Sequence, residues 1–269
     1  MARGTFALGG ALGAILIGAL VAGSLHAQPG AAPTSPPIAG LKAGTGAPFP
    51  KGHNAELDKL PDWGGIWFVT FSRDTPRPAP PKLKGKYKAA NEAWKAEIAA
   101  NNGIEKRNRS NCTPPGMPGF MSLPQYPYEF LFTPGRVTIN QEAWMQTRKI
   151  WTDGRPHQDD PDPSFAGDSV GHWENGTLVA ETIAINDKLP LQTGMTHSDK
   201  LKVTERLHLS PKDPNLLINE ITLEDPDALE EPWHNTVLYR RDRYGALLEF
   251  QCSENDRNPV DEQGNTGFE

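Results

Sequence analysis

Cysteine is nearly absent: Cys112 and Cys252 are the two thiols in 269 residues. Two thiolates cannot fill the four-ligand sphere of a structural zinc by themselves. Positive charge is scarce as well, with 27 Lys+Arg against 33 Asp+Glu and a net charge of −6. The one basic cluster, Lys82-Leu83-Lys84-Gly85-Lys86, is local and reads as a solvated helix start. With no basic stripe, a nucleic-acid partner is not expected. No phosphate loop, dinucleotide fingerprint, flavin signature or haem signature occurs, so no cofactor is expected. No H-x-H or H-E-x-x-H string occurs, and no metal is assigned.

Long apolar runs are confined to the start. Arg3 precedes an uninterrupted stretch of apolar and small residues from Phe6 to Ala22, followed by Gly23-Ser24-Leu25-His26-Ala27. A charged start, a short apolar stretch and a small-residue exit are the pattern of a secretory signal peptide, expected to be cut after Ala27. Gly and Ala dilute the run and no charged stop-transfer cluster follows, which argues against a membrane anchor. Residues 28–58 are rich in Pro, Gly and Ala and cannot bury enough surface to offset their chain entropy. They are expected to be a flexible linker. Residues 59–257 suffice for one folded core, and the polar stretch 258–269 is expected to be a loose tail. In the periplasm or beyond, two isolated cysteines pair, so a Cys112–Cys252 disulfide is expected. The sequence carries no sign of oligomeric state.

Short runs of alternating apolar residues dominate the rest. Strands are expected at about 65–71, 128–133, 136–143, 147–152, 169–173, 177–185, 200–210, 215–224, 234–241 and 247–253. Asn175-Gly176, between two such runs, is a strong two-residue hairpin signal. Thr133-Pro134-Gly135 and Asp242-Arg243-Tyr244-Gly245 are the other clear turns. Tyr87, Ala90, Trp94 and Ile98 are spaced by three and four residues, which predicts one amphipathic helix over Lys84–Ala100. About ten short strands with one helix near the N-terminus give a mostly β fold: a single antiparallel barrel or a strongly curved sandwich.

Acids among aliphatics are the candidate chemistry. Over 200–210, Glu205 shares a face with Leu201, Val203, Leu207 and Leu209. Over 177–185, Glu181 shares a face with Val179, Ile183 and Ile185. A buried carboxylate without partners is costly. It either pairs, with Arg148 or Arg240 the candidates, or titrates near neutrality and serves as an acid/base. His197 and Asp199 form a second candidate unit, in which the carboxylate orients an imidazole for proton transfer; the competing reading is a strand cap. His172, His197 and Glu205 would suit zinc if the strands brought them together. Gly167-Asp168-Ser169-Val170-Gly171 matches a nucleophile-elbow string, but it runs into a hairpin rather than a helix. Arg148, Tyr128, Trp151, His172 and Trp173 are candidate substrate-binding residues. The stiff segment from Cys112 through Met117 to Phe120 would either cover an apolar pocket or plug a barrel end.

Several strings together resemble a family of exported bacterial proteins with a calycin-like (lipocalin-type) β fold. They are the C-x-P-P-G-M-P run from Cys112, Thr133-Pro134-Gly135-Arg136-Val137, the G-x-S-x-G-x-W run ending at Trp173, His197-Ser198-Asp199-x-Leu201-x-Val203-Thr204-Glu205-Arg206, and Phe250-Gln251-Cys252-Ser253-Glu254-Asn255. The resemblance covers roughly residues 60–257. It implies export and a calycin-like barrel, and assigns no catalytic residue. Three readings follow. The first is an exported, cofactor-independent lyase or isomerase acting on a small apolar or aromatic molecule through His197, Asp199, Glu205 and Glu181. The second is a periplasmic binding protein for a small hydrophobic ligand. The third is a structural module whose barrel is filled by side chains.

Overall fold

The computed structural model describes residues 56–75, 77–103, 113–191 and 194–250. The expected signal peptide (1–27), both cysteines with their expected disulfide, and the expected tail (258–269) lie outside the described residues. Of the expected linker, residues 56–58 are described, where the short 3-10 turn Leu57–Lys59 begins.

Nine strands form a closed barrel in chain order. They are β1 (Ile66–Thr70), β2 (Tyr128–Thr133), β3 (Arg136–Gln141), β4 (Gln146–Trp151), β5 (Asp168–Glu174), β6 (Thr177–Ile183), β7 (Lys202–Ser210), β8 (Asp213–Glu224) and β9 (Trp233–Asp242). One helix, α1 (Gly85–Ala100), lies between β1 and β2. The fold is mostly β, a single barrel with one helix near the N-terminus, as the alternation predicts. The expected tenth strand at 247–253 does not form over its described residues, 247–250. The physical reason is closure: β9 already pairs with β1 from Ile66↔Asp242 to Thr70↔Leu238, so no free edge remains.

Strand parity explains one departure from an all-antiparallel ring. Directions must alternate around an antiparallel barrel, and nine strands cannot alternate and still close. One neighbouring pair is therefore parallel, and it is β4–β5, held in register by Trp151↔Val170. A parallel connection needs a dozen or more residues, and residues 152–167 supply it. The barrel wall is thin at this seam.

The two barrel ends differ. One end carries tight turns. In the Asn175-Gly176 hairpin both residues take positive φ, 49° and 82°, as a type I′ turn requires. Pro134-Gly135, with Gly135 at φ 72°, joins β2 to β3. This end is sealed by Trp63, whose ring packs 5.4 Å from those of Phe130, Phe132 and Trp173. Behind it, Arg241 stacks on Trp67 at 4.5 Å and its guanidinium donates to Asp62. The other end carries the links from β1 to β2, β6 to β7 and β8 to β9, and is stoppered by Met117, Phe120 and Met121, all essentially fully buried. Residues 152–167 start at the tight-turn end, where Thr152 N–H donates to the Gly135 carbonyl, and run to the stoppered one, where Ser164 N–H donates to the Ala184 carbonyl.

Helix α1 docks by Tyr87, Asn91, Trp94 and Ile98, a 4-3-4 spacing in which Asn91, not Ala90, is the buried contact. Asn91 donates to the Gly194 carbonyl at 2.7 Å.

Candidate ligand-binding site

Period-two burial fixes what faces inward. In β7 the buried residues are Val203, Glu205 and Leu207; in β8, Leu217, Asn219, Ile221 and Leu223; in β6, Leu178, Ala180 and Thr182; in β4, Arg148 and Ile150. Glu205 is 0% exposed and pairs with Arg148 at 2.5 Å. Asn219 Nδ2 donates to the other Glu205 oxygen at 2.8 Å. Arg148 Nη2 also donates to Thr182 Oγ1 (2.8 Å) and its Nε to Ser169 Oγ (3.3 Å). The charges are taken up by a network that spans β4, β5, β6, β7 and β8. Ser169, inside this network, is a hydrogen-bonding residue followed by a hairpin, not a nucleophile on an elbow. Arg148 is likewise occupied by Glu205.

Above this network two tyrosines tie the stopper. Tyr128 O–H donates to the Phe120 carbonyl at 2.7 Å and Tyr239 O–H to the Met121 carbonyl at 2.5 Å. Gln141 donates to both the Tyr128 oxygen (2.8 Å) and the Phe120 carbonyl (3.1 Å). Burial pushes both phenols above their ordinary range, so they stay neutral donors. Tyr128, expected as a substrate contact, is a structural tie. The stiff segment is a plug in this structure.

The remaining expected site residues disperse. Glu181 shares a parity with Val179 and Ile183 as expected, but that face points outward; Leu178, Ala180 and Thr182 fill the interior. Glu181 sits 3.4 Å from His157 and 3.6 Å from Lys202 at the surface. His172 also faces out, with Nε2 2.8 Å from Glu174, because β5 turns Ser169 inward and alternate residues follow. His172 and Glu205 therefore lie on opposite sides of the wall, and the three-residue zinc arrangement does not assemble. Trp151 faces out, covered by the Arg155 guanidinium at 3.7 Å. Trp173 faces in, but at the sealed end. His197 is buried and its Nδ1–H donates to the Ser198 carbonyl at 2.7 Å. Asp199 is exposed and does not orient it. The local carboxylate is Asp225, which accepts from Ser198 N and Oγ at 2.7 Å and from Asp227 and Ala228 N–H at 3.0 Å. Burial raises the Asp225 carboxyl, but these four donors outweigh it and hold the group below its usual value. Ser198 caps the local backbone, accepting from Lys200 N–H at 3.0 Å, but its carboxylate partner is Asp225 and not Asp199.

A hollow of about 350 Å³ lies at the stoppered mouth, beside the plug. Val69 of β1, the exposed Phe71 just beyond it, and Trp233, Asn235 and Val237 from β9 form one wall. Ser122 and Pro124 of the plug and Thr75, Arg77 and Pro78 form the other. The size is that of a small-molecule site. Among the described residues, hollows also lie outside the wall, under the 152–167 connection and beside α1. The sequence does hold a signal for the mouth: Trp233, Asn235 and Val237 continue the parity of buried Tyr239, and Phe71 that of Trp67. The opposite wall draws on Thr75, Arg77 and Pro78, in a Pro-rich stretch beyond the first strand.

No family model matches the chain, and no curated protein does. Among solved structures, the chain is similar to a secretary abundant heat soluble (SAHS) protein from Ramazzottius varieornatus. That match has 9% identity over 68% of this chain and 96% of the other, with a TM-score of 0.30. It is also similar to a mutant of the fluorescent protein UnaG, with 12% identity over 69% of this chain and 98% of the other, and a TM-score of 0.30. At that superposition the likeness adds nothing to the strand pairing, which defines the barrel by itself.

Proposed function

We propose that this protein is an exported small-molecule-binding barrel that holds a hydrophobic ligand at its mouth and performs no chemistry on it. The observation that carries the reading is the separation of the candidate acid/base residues Glu205, Glu181, Asp199 and His197 from the hollow, none of which lines it. Glu205 is consumed by Arg148 and Asn219, Glu181 and Asp199 face solvent, and His197 is held in a turn. General acid/base catalysis needs a titratable side chain within hydrogen-bond reach of the bound molecule, and among the described residues the hollow is lined by no His, Asp, Glu, Lys, Tyr or Cys. The mouth instead presents Phe71, Trp233, Val69 and Val237 around a half-enclosed space, with Asn235 and hydroxyl side chains at hand for orientation. Residues 1–27 support export to the periplasm or beyond within the same proposal.

Titration with the neutral fluorophore N-phenyl-naphthylamine tests it. Saturable enhancement, weakened at least fivefold in a Trp233→Ala variant that stays folded by circular dichroism, is the expected result. Turnover of any small aromatic substrate that is lost on Glu205→Gln would overturn it. Absence of saturable binding would do so equally.

A further inference from the structure

Resting on the mouth reading, we infer that the ligand is a small planar monoanion, an aryl carboxylate or its chemical equivalent, whose charge is met by Arg77. The protein as a whole is acidic, with a net charge of −6, yet the hollow contains no acid. Its lining is apolar, aromatic, hydroxyl or amide except for one ionisable side chain, Arg77. Across the described residues, most arginines on the barrel wall and its closed end meet carboxylates: Arg148 with Glu205, Arg155 with Asp153, Arg206 with Glu174, Arg240 with Asp213, and Arg241 and Arg243 with Asp62. Arg77 has no carboxylate partner among the described residues. Its guanidinium instead lies over the Phe71 ring, 4.8 Å from the centroid. Stacking directs the in-plane N–H fork away from the ring, and that fork matches a carboxylate in two-point fashion.

The rest of the lining fixes what lies behind the charge. Phe71 and Trp233 offer two aromatic faces, and Val69 and Val237 an aliphatic floor. A flat, apolar body suits these surfaces, and ring stacking favours an aromatic one. Asn235, Ser72, Thr75 and Ser122 provide neutral donors that a single acidic group can share. A cationic ligand would meet Arg77 with no carboxylate in the hollow to offset the repulsion. A bulky lipid exceeds about 350 Å³. A ring or fused ring pair bearing one anionic group fits size, surface and charge together.

The test compares naphthoate with its neutral isostere naphthalene methanol, both titrated by calorimetry against the full folded protein. Naphthoate should bind about tenfold more tightly, the increment of one charge-assisted hydrogen-bonded contact. Arg77→Gln should bring the two ligands to within about twofold by weakening the acid while leaving the alcohol unchanged. Arg77→Lys should restore some of the preference, since it keeps the charge and loses the fork. Equal affinity for acid and alcohol in the unaltered protein overturns the inference and leaves the mouth reading standing. A preference that survives Arg77→Gln overturns it too. If neither compound binds and the neutral fluorophore also fails, the mouth reading falls and takes this inference with it.

Discussion

Removing the charge of Glu205 is the sharpest perturbation the barrel offers. Glu205→Gln keeps the shape and a partner for Asn219, but leaves the Arg148 guanidinium, 1% exposed, without its counter-charge. Breaking a buried pair from one side costs about 3–5 kcal/mol, because the remaining charge stays desolvated. A domain of this size has roughly 5–15 kcal/mol in all. The melting temperature should fall by on the order of 10 °C, and urea midpoints followed by tryptophan fluorescence should shift in proportion. Arg148→Met alone should cost a similar amount. The double variant Arg148→Met/Glu205→Leu should recover most of the loss and lie within about 2 kcal/mol of the parent, since a hydrophobic replacement removes both desolvation penalties together. Ser169 and Thr182 lose their ionic partner in the double variant, which sets the residual cost. A double variant no more stable than either single variant would refute the reasoning, as would a Glu205→Gln cost below about 1 kcal/mol.

Asp225→Asn should cost roughly 1–2 kcal/mol by weakening the turn bonds to Ser198, Asp227 and Ala228. Because the native carboxyl titrates below its unfolded value, the parent keeps this stabilisation above the unfolded value near pH 4 and loses it as pH falls further; the variant's stability should be flatter with pH there. Asp199→Ala, by contrast, should change urea stability by no more than about 0.5 kcal/mol and leave probe binding intact. Gly194→Ala should unseat α1: a methyl group there would run into the Trp94 ring, and φ is +72°. The expected loss is roughly 1–3 kcal/mol, with faster tryptic cleavage at Lys88 and Lys95.

Much of the barrel is legible in the sequence because its signals are local. Asn175-Gly176 names its own turn, since both residues tolerate positive φ. In β7 the side is legible too: Leu201, Val203 and Leu207 share the parity of Glu205, while Lys202, Thr204 and Arg206 hold the other. In β6 the same arithmetic fails. Val179 and Ile183 on one parity rival Leu178 and Ala180 on the other, so alternation groups Glu181 correctly and leaves its side open. Only closure decides it. The partner of the Ser198 turn is equally out of reach, because Asp225 comes 27 residues later and Asp199 stands closer in sequence. The mouth combines β1, β9, the plug and Thr75, Arg77 and Pro78, and no single window of sequence contains it.

The parallel seam has a consequence for how the chain can be rewired. β4 and β5 share one rung of backbone pairing, and the Arg148 side chain, reaching Ser169, Thr182 and Glu205, holds that join from within. The outer ends of β1 and β9 already lie side by side at Ile66 and Asp242. New termini placed within residues 152–167, with a short bridge from Asp242 towards Ile66, would therefore give a circular permutant that keeps every antiparallel ladder. Cutting at any hairpin would instead sever the covalent link between neighbours that are paired along their full length.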